Sequence, residues 1–343
     1  MTDVMDSEAV PETSRADWQS DQEVRWCPGC GDYSILTALQ LLLPDLGVRR
    51  EKTVFISGIG CAARFPYYMN TYGMHSIHGS GLPAIATGLA LARPDLDIWV
   101  VGGDGDMLSI GGNHLIHALR RNTNMNILLF NNQIYGLTKG QFSPTSEPGK
   151  ITKSSPVGLI SEPFNPISIA LGAEASFVAR SHDMDRKHMQ EMFTRAHAHP
   201  GASFIEIYQN CNVFNDGAFA EITKKDARDD MLINLIHGEP IQFGSEKQFG
   251  VVQTANGVEI VNVSEVGVES LLVHDENRSD PSTAFALSRL AKGPSEPTPV
   301  GVFRAAVREE YASAMSDQVM GVAEERGKGQ LKDLLHSLPT WEV

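Results

Sequence analysis

The sequence has few cysteines, no long apolar run and a shortage of basic residues. Its 343 residues include four cysteines, too few for a disulfide framework that would stabilise a chain of this size. No apolar run approaches the roughly 20 residues that a membrane-spanning helix needs. The first residues also lack the basic and apolar regions of a secretory signal peptide. We therefore expect a cytoplasmic protein without a membrane anchor.

The shortage of basic residues argues against further classes of partner. Lys and Arg together number 28 against 42 Asp and Glu, which leaves a net charge of −14. This balance disfavours non-specific attraction to nucleic acid and to anionic membranes. We expect neither as a partner, and an acidic redox protein would have to bind at a local basic patch.

Apolar periodicity divides the chain into three parts. Residues 1–22 are acidic and polar and show no sustained apolar period, so we expect a flexible N-terminal arm. Residues 23–220 alternate short apolar runs with helical patterns, which predicts an α/β fold with a doubly wound parallel sheet. In residues 221–343 the pattern weakens, and we expect a C-terminal segment that packs on the sheet or on a partner.

The predicted elements of the main part are short. Buried parallel strands are predicted by continuous apolar runs at residues 53–57, 98–102, 126–130 and 203–208. Helical patterns lie at residues 33–43, 82–92, 115–121 and about 184–197. In the C-terminal segment we expect strands at 259–263 and 271–273 and a helix at 282–292. Residues 143–166 are rich in Pro, Ser and Gly, which predicts a functional loop over a site.

Residues 103–106 read Gly-Asp-Gly-Asp between a predicted strand and a helix. Ligands of parallel sheets bind at this strand edge, and glycines let the backbone approach an anion. Asp104 and Asp106 would repel a bare phosphate, but Mg²⁺ bridging a carboxylate and a diphosphate removes the conflict. Asn132 ends the next predicted strand and reaches the same edge. The alternative is two ordinary turns, since Gly-Asp and Asn-Asn both favour turns.

The cysteines form a second constellation. Cys27 and Cys30 make a Cys-x-x-Cys pair that can act as a redox dithiol, but that role leaves Cys61 and Cys211 unused. A metal site employs all four thiolates, which suit either tetrahedral zinc or a cubane iron–sulfur cluster. Residues 58–63 also fit a Gly-x-Gly-x-x-Ala dinucleotide fingerprint. NAD binding is disfavoured because no acidic residue ends a second strand about 20 residues further on.

Several motifs, taken in order, resemble one protein family. They read Trp-Cys-Pro-Gly-Cys-Gly-Asp at 26–32, Gly-Ile-Gly-Cys at 58–61, His-Ser-Ile-His-Gly at 75–79, Gly-Asp-Gly-Asp at 103–106 and Tyr-Gly-Leu-Thr-Lys-Gly-Gln at 135–141. Together they resemble the β subunit of 2-oxoacid:ferredoxin oxidoreductases over residues 23–220, and more loosely at 274–276 and 299–302. The last motif, followed by Ser-Pro-Thr at 143–145, is most similar to the 2-oxoglutarate enzymes of that family.

The resemblance implies thiamine diphosphate, Mg²⁺ and a [4Fe–4S] cluster as cofactors, with coenzyme A as co-substrate. Mg²⁺ would be held by Asp104, Asn132 and the backbone carbonyl of Ile134. The cluster would be held by Cys27, Cys30, Cys61 and Cys211. The residues around thiamine diphosphate would be Ile59, Gly60, Cys61, His78, Gly79, Gly103, Asp104, Gly105, Asp106, Asn132, Tyr135, Gly136, Leu137 and Thr138.

The resemblance also suggests roles for charged side chains near the cofactor. His78 is the candidate catalytic residue, as a hydrogen-bond donor or proton-transfer group. Arg64 and Lys139 are candidate cations for a dicarboxylate substrate, although both also fit solvated surface charges. Ser80 stands where many relatives have Arg, which removes one cationic phosphate contact.

The implied activity is the oxidative decarboxylation of a 2-oxoacid, with coenzyme A capturing the acyl group. Electrons would pass singly through the cluster to ferredoxin, and the reaction would also run backwards as reductive carboxylation. By the same resemblance, an α subunit supplies the glutamate beside the thiamine pyrimidine, and pairs of αβ heterodimers assemble. The alternatives are pyruvate or branched 2-oxoacids as substrate, a non-catalytic iron–sulfur electron-transfer subunit, and a thiamine enzyme without a cluster.

Overall fold

The computed structural model describes residues 11–79, 81–224, 227–291 and 296–339. The strands, numbered in chain order, are β1 (Thr53–Ser57), β2 (Tyr72–His75), β3 (Asp97–Gly103), β4 (Met125–Asn131), β5 (Phe177–His182), β6 (Ala202–Tyr208), β7 (Leu232–Leu235), β8 (Gln242–Phe243), β9 (Phe249–Thr254), β10 (Gly257–Asn262) and β11 (Thr298–Ala305). The helices are α1 (Asp32–Leu42), α2 (Gly81–Ala92), α3 (Asp104–Leu108), α4 (Gly112–Arg121), α5 (Pro166–Gly172), α6 (Arg186–Ala198), α7 (Ala220–Thr223), α8 (Arg228–Met231), α9 (Val263–Val266), α10 (Ser282–Ser288), α11 (Tyr311–Arg326) and α12 (Leu331–Leu335).

One large sheet organises the fold. Within the described ranges it has eight strands, in the order β2-β1-β3-β4-β6-β5-β11-β7. From β2 to β5 all neighbouring strands pair in parallel, whereas β11 pairs antiparallel with β5 and parallel with β7. The predicted α/β class with a parallel sheet is confirmed. The sheet is mixed at one edge because the C-terminal segment adds two strands that run in the reverse direction.

Each face of the sheet carries its own apolar core. On β4, Ile127 and Leu129 pack into one core, whereas Leu128 and Phe130 pack into the other. Helices α2, α4 and α5 contribute side chains to the first core, and α1 and α6 contribute to the second. A strand that is covered on both faces reads as a continuous apolar run, which is why β4 could be recognised in the sequence.

The four strands predicted for the main part are present as β1, β3, β4 and β6, but β2 and β5 were not predicted. β2 lies at the edge of the sheet and all its residues are exposed. β5 is fully buried yet carries Arg180, Ser181 and His182. The Arg180 guanidinium is paired with Glu206 on β6, Nε to Oε2 at 2.7 Å. This pairing compensates the buried charge of Arg180. The polar residues of β5 are the reason why the apolar pattern of the sequence did not predict this strand.

Part of the expected flexible arm is packed against the core. A 3₁₀ helix spans Arg15–Trp18, and the Trp18 side chain is completely buried among residues of the second core. The Trp18 indole N–H donates to the Thr13 hydroxyl at 3.0 Å. One large aromatic side chain therefore anchors a segment whose other residues are mostly polar. Residues 1–10 lie outside the described ranges.

The C-terminal segment joins the main sheet through β7 and β11. Within the part of the chain that the structure describes, β8, β9 and β10 form a separate antiparallel sheet of three strands. The strand expected at 259–263 corresponds to β10. The strand expected at 271–273 is reduced to one isolated pairing of Pro240 with Val273, and the helix expected at 282–292 is the shorter α10.

None of the helices in the described ranges is long and apolar enough to cross a membrane.

Candidate functional site

The carboxyl ends of β1, β3 and β4 border a cavity of about 180 Å³. It is lined by Ile59, Gly60, Cys61, Ala62, His78, Gly103, Asp104, Gly105, Asp106, Phe130, Asn132, Ile134, Tyr135, Gly136, Leu137 and Thr138. The structure thus brings together at one cavity the residues that sequence reasoning assigned to thiamine diphosphate, apart from Gly79. Segments from three strand ends meet here because neighbouring parallel strands end at the same edge.

Asp104 is the most buried carboxylate of the cavity lining, with 1% of its surface exposed. Its Oδ2 accepts hydrogen bonds from the hydroxyls of Ser143 and Thr145, both at 2.5 Å. Burial raises the pKa of Asp104 to about 6, and the two hydroxyls oppose that rise. A nearby divalent cation would favour the ionised form of this carboxylate. Asp104 is therefore a buried carboxylate whose negative charge a bound cation would compensate.

Asn132 presents a second oxygen to the same cavity. Its Nδ2 donates to Gln209 Oε1 at 2.8 Å, and its Oδ1 accepts from the Ile134 amide at 3.2 Å. Asn132, Ile134 and Asp104 all line the cavity. A carboxylate, a side-chain amide oxygen and a backbone carbonyl are the hard oxygen ligands that Mg²⁺ takes. The residues present therefore fit a magnesium–diphosphate site.

Asp106 organises the loops around the cavity. Its carboxylate accepts from the backbone N–H of Gly79 at 2.6 Å and of Ile59 at 3.1 Å, and lies 2.5 Å from His78 Nδ1. Burial raises the pKa of Asp106, while these contacts oppose the rise. Because an ionised carboxylate only accepts, His78 carries a proton on Nδ1 in this contact. Its other ring nitrogen, Nε2, is left for a ligand or a proton.

The four cysteines come from three segments of the chain, since Cys27 and Cys30 belong to one Cys-x-x-Cys pair. Cys61 lines the cavity, Cys27 is exposed, and Cys30 and Cys211 are partly buried. The Sγ atoms of Cys211 and Cys61 lie 3.5 and 3.8 Å from the point where a Cβ on Gly136 would stand. Burial, then the Asp32 carboxylate and Cys211, raise the pKa of Cys61 to about 11. Burial followed by Asp32 also raises the pKa of Cys30.

The spacing of these thiols bears on which metal they fit. Over the described residues, no three His, Cys, Asp or Glu side chains are placed to hold a single metal ion. A cubane offers four irons at separate corners and so takes its thiolates further apart than one zinc ion does. The four cysteines offer the thiolate donors that a [4Fe–4S] cluster would take.

The candidate substrate cations lie outside the cavity lining. Arg64 donates from Nη1 to the backbone carbonyl of Arg25 at 2.8 Å, so it is held against the segment that leads to Cys27. Lys139 is exposed and has a positive φ of 74°. Neither lines the cavity, although the Arg64 backbone N–H donates to the Cys61 carbonyl at 3.1 Å and that of Lys139 to the Gly136 carbonyl at 3.0 Å, and their substrate roles stay predictions. Ser80 lies outside the described residues.

Sequence reasoning missed three polar residues of this site. It gave no role to the Ser143 and Thr145 hydroxyls, although they begin the loop that was predicted to cover a site. It also missed Gln209, whose side chain is 1% exposed and lies between Asn132 and Cys30. The only signal in the sequence was a polar residue two positions before a cysteine, at the end of a predicted strand.

Comparison with known proteins agrees with this geometry. Residues 58–207 match the thiamine pyrophosphate enzyme C-terminal binding domain. The chain is 55% identical to the 2-oxoglutarate oxidoreductase subunit KorB of Mycobacterium tuberculosis, over 95% of this chain and 88% of the relative. The chain belongs to the 2-oxoacid:ferredoxin oxidoreductase β-subunit family. The family predicted from the motifs is confirmed, and this β subunit is part of an oxidoreductase.

Further relatives of this β subunit extend the comparison. It is 44% identical to the β subunit of a 2-oxoacid:ferredoxin oxidoreductase from Aeropyrum pernix, over 58% of this chain and 62% of that protein. It also matches a solved structure of 2-oxoglutarate:ferredoxin oxidoreductase from Magnetococcus marinus with 2-oxoglutarate, coenzyme A and succinyl-CoA bound. That match has a TM-score of 0.75 and 30% identity, and covers 95% of this chain and 97% of the other.

Proposed function

We propose that this β subunit acts in a 2-oxoglutarate:ferredoxin oxidoreductase. The complex would convert 2-oxoglutarate and coenzyme A into succinyl-CoA and CO₂, pass electrons to ferredoxin, and also run in reverse. One observation carries the proposal: a single cavity is lined both by Asp104 and Asn132 and by Cys61. This shared lining supports a diphosphate–metal site next to a cysteine site. The named substrate of the Mycobacterium tuberculosis and Magnetococcus marinus relatives supports the choice of 2-oxoacid.

The cavity residues have separate tasks in this proposal. Asp104, Asn132 and the carbonyl of Ile134 would hold Mg²⁺, with the glycine-rich residues 103–105 around the diphosphate. Thiamine diphosphate supplies the electron sink for decarboxylation when it is bound. Asp106 holds His78 by Nδ1, so that Nε2 of His78 can accept or donate a proton at the cavity.

The cysteine site extends from the cavity to the protein surface. Cys61 lines the cavity, whereas Cys27 is exposed. We assign Cys27, Cys30, Cys61 and Cys211 as ligands of a [4Fe–4S] cluster, which supplies single-electron transfer when it is bound. This arrangement suits electron delivery from a buried reaction site to a ferredoxin that docks outside.

The cavity needs a partner for catalysis. Among the described residues that line it there is no glutamate, the residue expected beside the thiamine pyrimidine. Apolar side chains around it are exposed: 41% for Ile59, 43% for Leu137 and 70% for Ile77. Exposed apolar patches of this kind mark protein interfaces. We assign this face to the α subunit, which would supply the glutamate and contacts to coenzyme A, in a dimer of αβ heterodimers.

The test is reconstitution with the α subunit under anaerobic conditions. Activity would be compared with 2-oxoglutarate, pyruvate and 2-oxoisovalerate, each with coenzyme A and a viologen acceptor. The proposal expects the highest kcat/KM for 2-oxoglutarate, together with iron, acid-labile sulfide and a dithionite-reducible cubane signal in electron paramagnetic resonance. A preference for pyruvate would overturn the substrate assignment. Stoichiometric zinc without sulfide would overturn the electron-transfer role.

A further inference from the structure

Gln209 lies between the two cofactor sites. It directly follows β6, and its backbone N–H donates to the Asn131 carbonyl at the end of β4, at 2.9 Å. Its side chain is 1% exposed. β6 pairs with β4 up to Tyr208, and this pairing also fixes the backbone of Gln209, which carries the buried side-chain amide.

The contacts of Gln209 determine which way its amide points. Nε2 lies 2.6 Å from the backbone carbonyl of Asn210, which can only accept a hydrogen bond. The amide nitrogen must therefore lie on that side, where it is also 3.2 Å from Cys30 Sγ. Oε1 then faces Asn132 and accepts from its Nδ2 at 2.8 Å. One buried amide thus contacts both a proposed magnesium ligand and a proposed cluster ligand.

The contact with Asn132 decides which atom Asn132 offers to a metal. Because Gln209 Oε1 takes the Nδ2 hydrogen, the Asn132 amide is held with its nitrogen toward Gln209 and its oxygen away from it. Only the oxygen can bind Mg²⁺, so a flipped amide would be useless as a ligand. Partners that orient a metal ligand in this way typically change metal affinity by about 10–100-fold when they are removed.

The contact between Gln209 and Cys30 affects the reduction potential of the proposed cluster. An N–H that donates to a ligand sulfur stabilises negative charge there, and so favours the reduced form of a cluster. The Gln209 donor is well suited to this because the site is buried, where a hydrogen bond to a charged group is strengthened. Loss of this donor should lower the reduction potential.

We infer that Gln209 is a positioning residue shared by the two sites: it orients the Asn132 oxygen toward Mg²⁺ and raises the potential of the cluster through Cys30. The inference rests on the proposed function, since it requires both cofactors. It assigns the two effects to opposite ends of one amide, and the donor end can be changed while the acceptor end is kept.

Two substitutions in the reconstituted αβ complex test this. Gln209→Met keeps the length of the side chain but removes both the donor and the amide acceptor. Gln209→Glu keeps an oxygen acceptor for Asn132 Nδ2 and replaces the donor to Cys30 by oxygen. The matched control is Asn210→Ser, because the Asn210 side chain bonds Asp216 and the Gly217 amide rather than a cysteine. The readouts are the cluster potential, by titration monitored with electron paramagnetic resonance, and the Mg²⁺ dependence of thiamine diphosphate binding.

We expect a more negative potential in both Gln209 variants and an unchanged potential in Asn210→Ser. Mg²⁺ affinity should fall about 10–100-fold in Gln209→Met and stay near that of the unchanged chain in Gln209→Glu. If Gln209→Met does not retain iron and sulfide, the Glu variant provides the potential. Unchanged potentials in loaded Gln209 variants would overturn the inference alone. A wild-type complex without a cluster signal would overturn the proposed function instead.

Discussion

The ring of Tyr135 occupies the space that a side chain at Gly105 would need. A Cβ added to Gly105 would stand 2.4 Å from Cε1 of Tyr135, and the Tyr135 hydroxyl donates to the Gly105 carbonyl at 2.6 Å. Two walls of the cavity, one at the end of β3 and one after β4, are therefore locked together. The glycine predicted to let an anion approach also admits the tyrosine that closes the site.

We expect Gly105→Ala to weaken thiamine diphosphate binding by about tenfold or more, because overpacking of this kind costs about 1–3 kcal/mol and would move Tyr135. Isothermal titration calorimetry of the αβ complex with Mg²⁺ measures this. Gly112→Ala is the matched control, since an added Cβ there meets nothing within 4 Å. Equal affinity in the two variants would contradict the role of the Tyr135 contact.

Asp104→Asn should abolish most of the Mg²⁺-dependent activity while the cluster remains. The substitution keeps the shape of the side chain but removes the charge that a hard cation needs, so we expect a loss of more than about a hundredfold. The measurement is turnover against Mg²⁺ concentration, with iron and sulfide determined on the same sample. Asp95→Asn is the control, because Asp95 pairs with Lys52 and Arg93 before β3 begins. An unchanged dependence of turnover on Mg²⁺ would contradict the assignment of Asp104 as a Mg²⁺ ligand.

Cys211→Ser should remove the cluster and leave the diphosphate site intact. The Sγ atoms of Cys211 and Cys61 both lie near Gly136, whereas the nearby Val213 is 54% exposed. We expect iron and sulfide to fall to background and electron transfer to viologen to be lost, with thiamine diphosphate still bound. Val213→Ala should keep all of these properties. Full iron content in Cys211→Ser would show that this cysteine is not a ligand.

Buried histidines should make the fold less stable in mild acid. Burial lowers the pKa of His199 from 6.5 to about 4, and its ring is 9% exposed. Below pH 6.5, His199 therefore binds a proton in the unfolded chain but remains neutral in the folded protein. The free energy of unfolding consequently falls as the pH is lowered. For this one residue the loss from pH 7 to pH 5 is on the order of 2 kcal/mol.

Urea unfolding of the β subunit at these two pH values checks this expectation. His199→Gln should reduce the acid-induced shift of the midpoint, while substitution of the exposed His336 by Gln should not. The dependence should be reduced rather than abolished, because burial also lowers the pKa of His182 to about 4. The same shift in all three chains would contradict a role for His199.

Much of the site could be predicted because its chemistry follows strand ends. Gly103 ends a buried apolar strand and Asp104 follows it, and Asn132 comes directly after the next strand, so the parallel sheet places them at one edge. Where a buried strand carries charge, as at Arg180, the same logic fails. Its partner, Glu206, lies on a different strand, and neither residue alone indicates that the charge is compensated.

The sequence by itself determined the family and the α/β class, and it predicted the residue types that cofactor chemistry would require: four thiols, a carboxylate and the glycines of a close turn. Only the tertiary structure decided that Trp18 is core, that Ser143 and Thr145 bond Asp104, and that Gln209 joins Asn132 to Cys30. The physical reason is that these contacts join side chains far apart along the chain. Sheet order creates such neighbours, and no local periodicity or spacing encodes them.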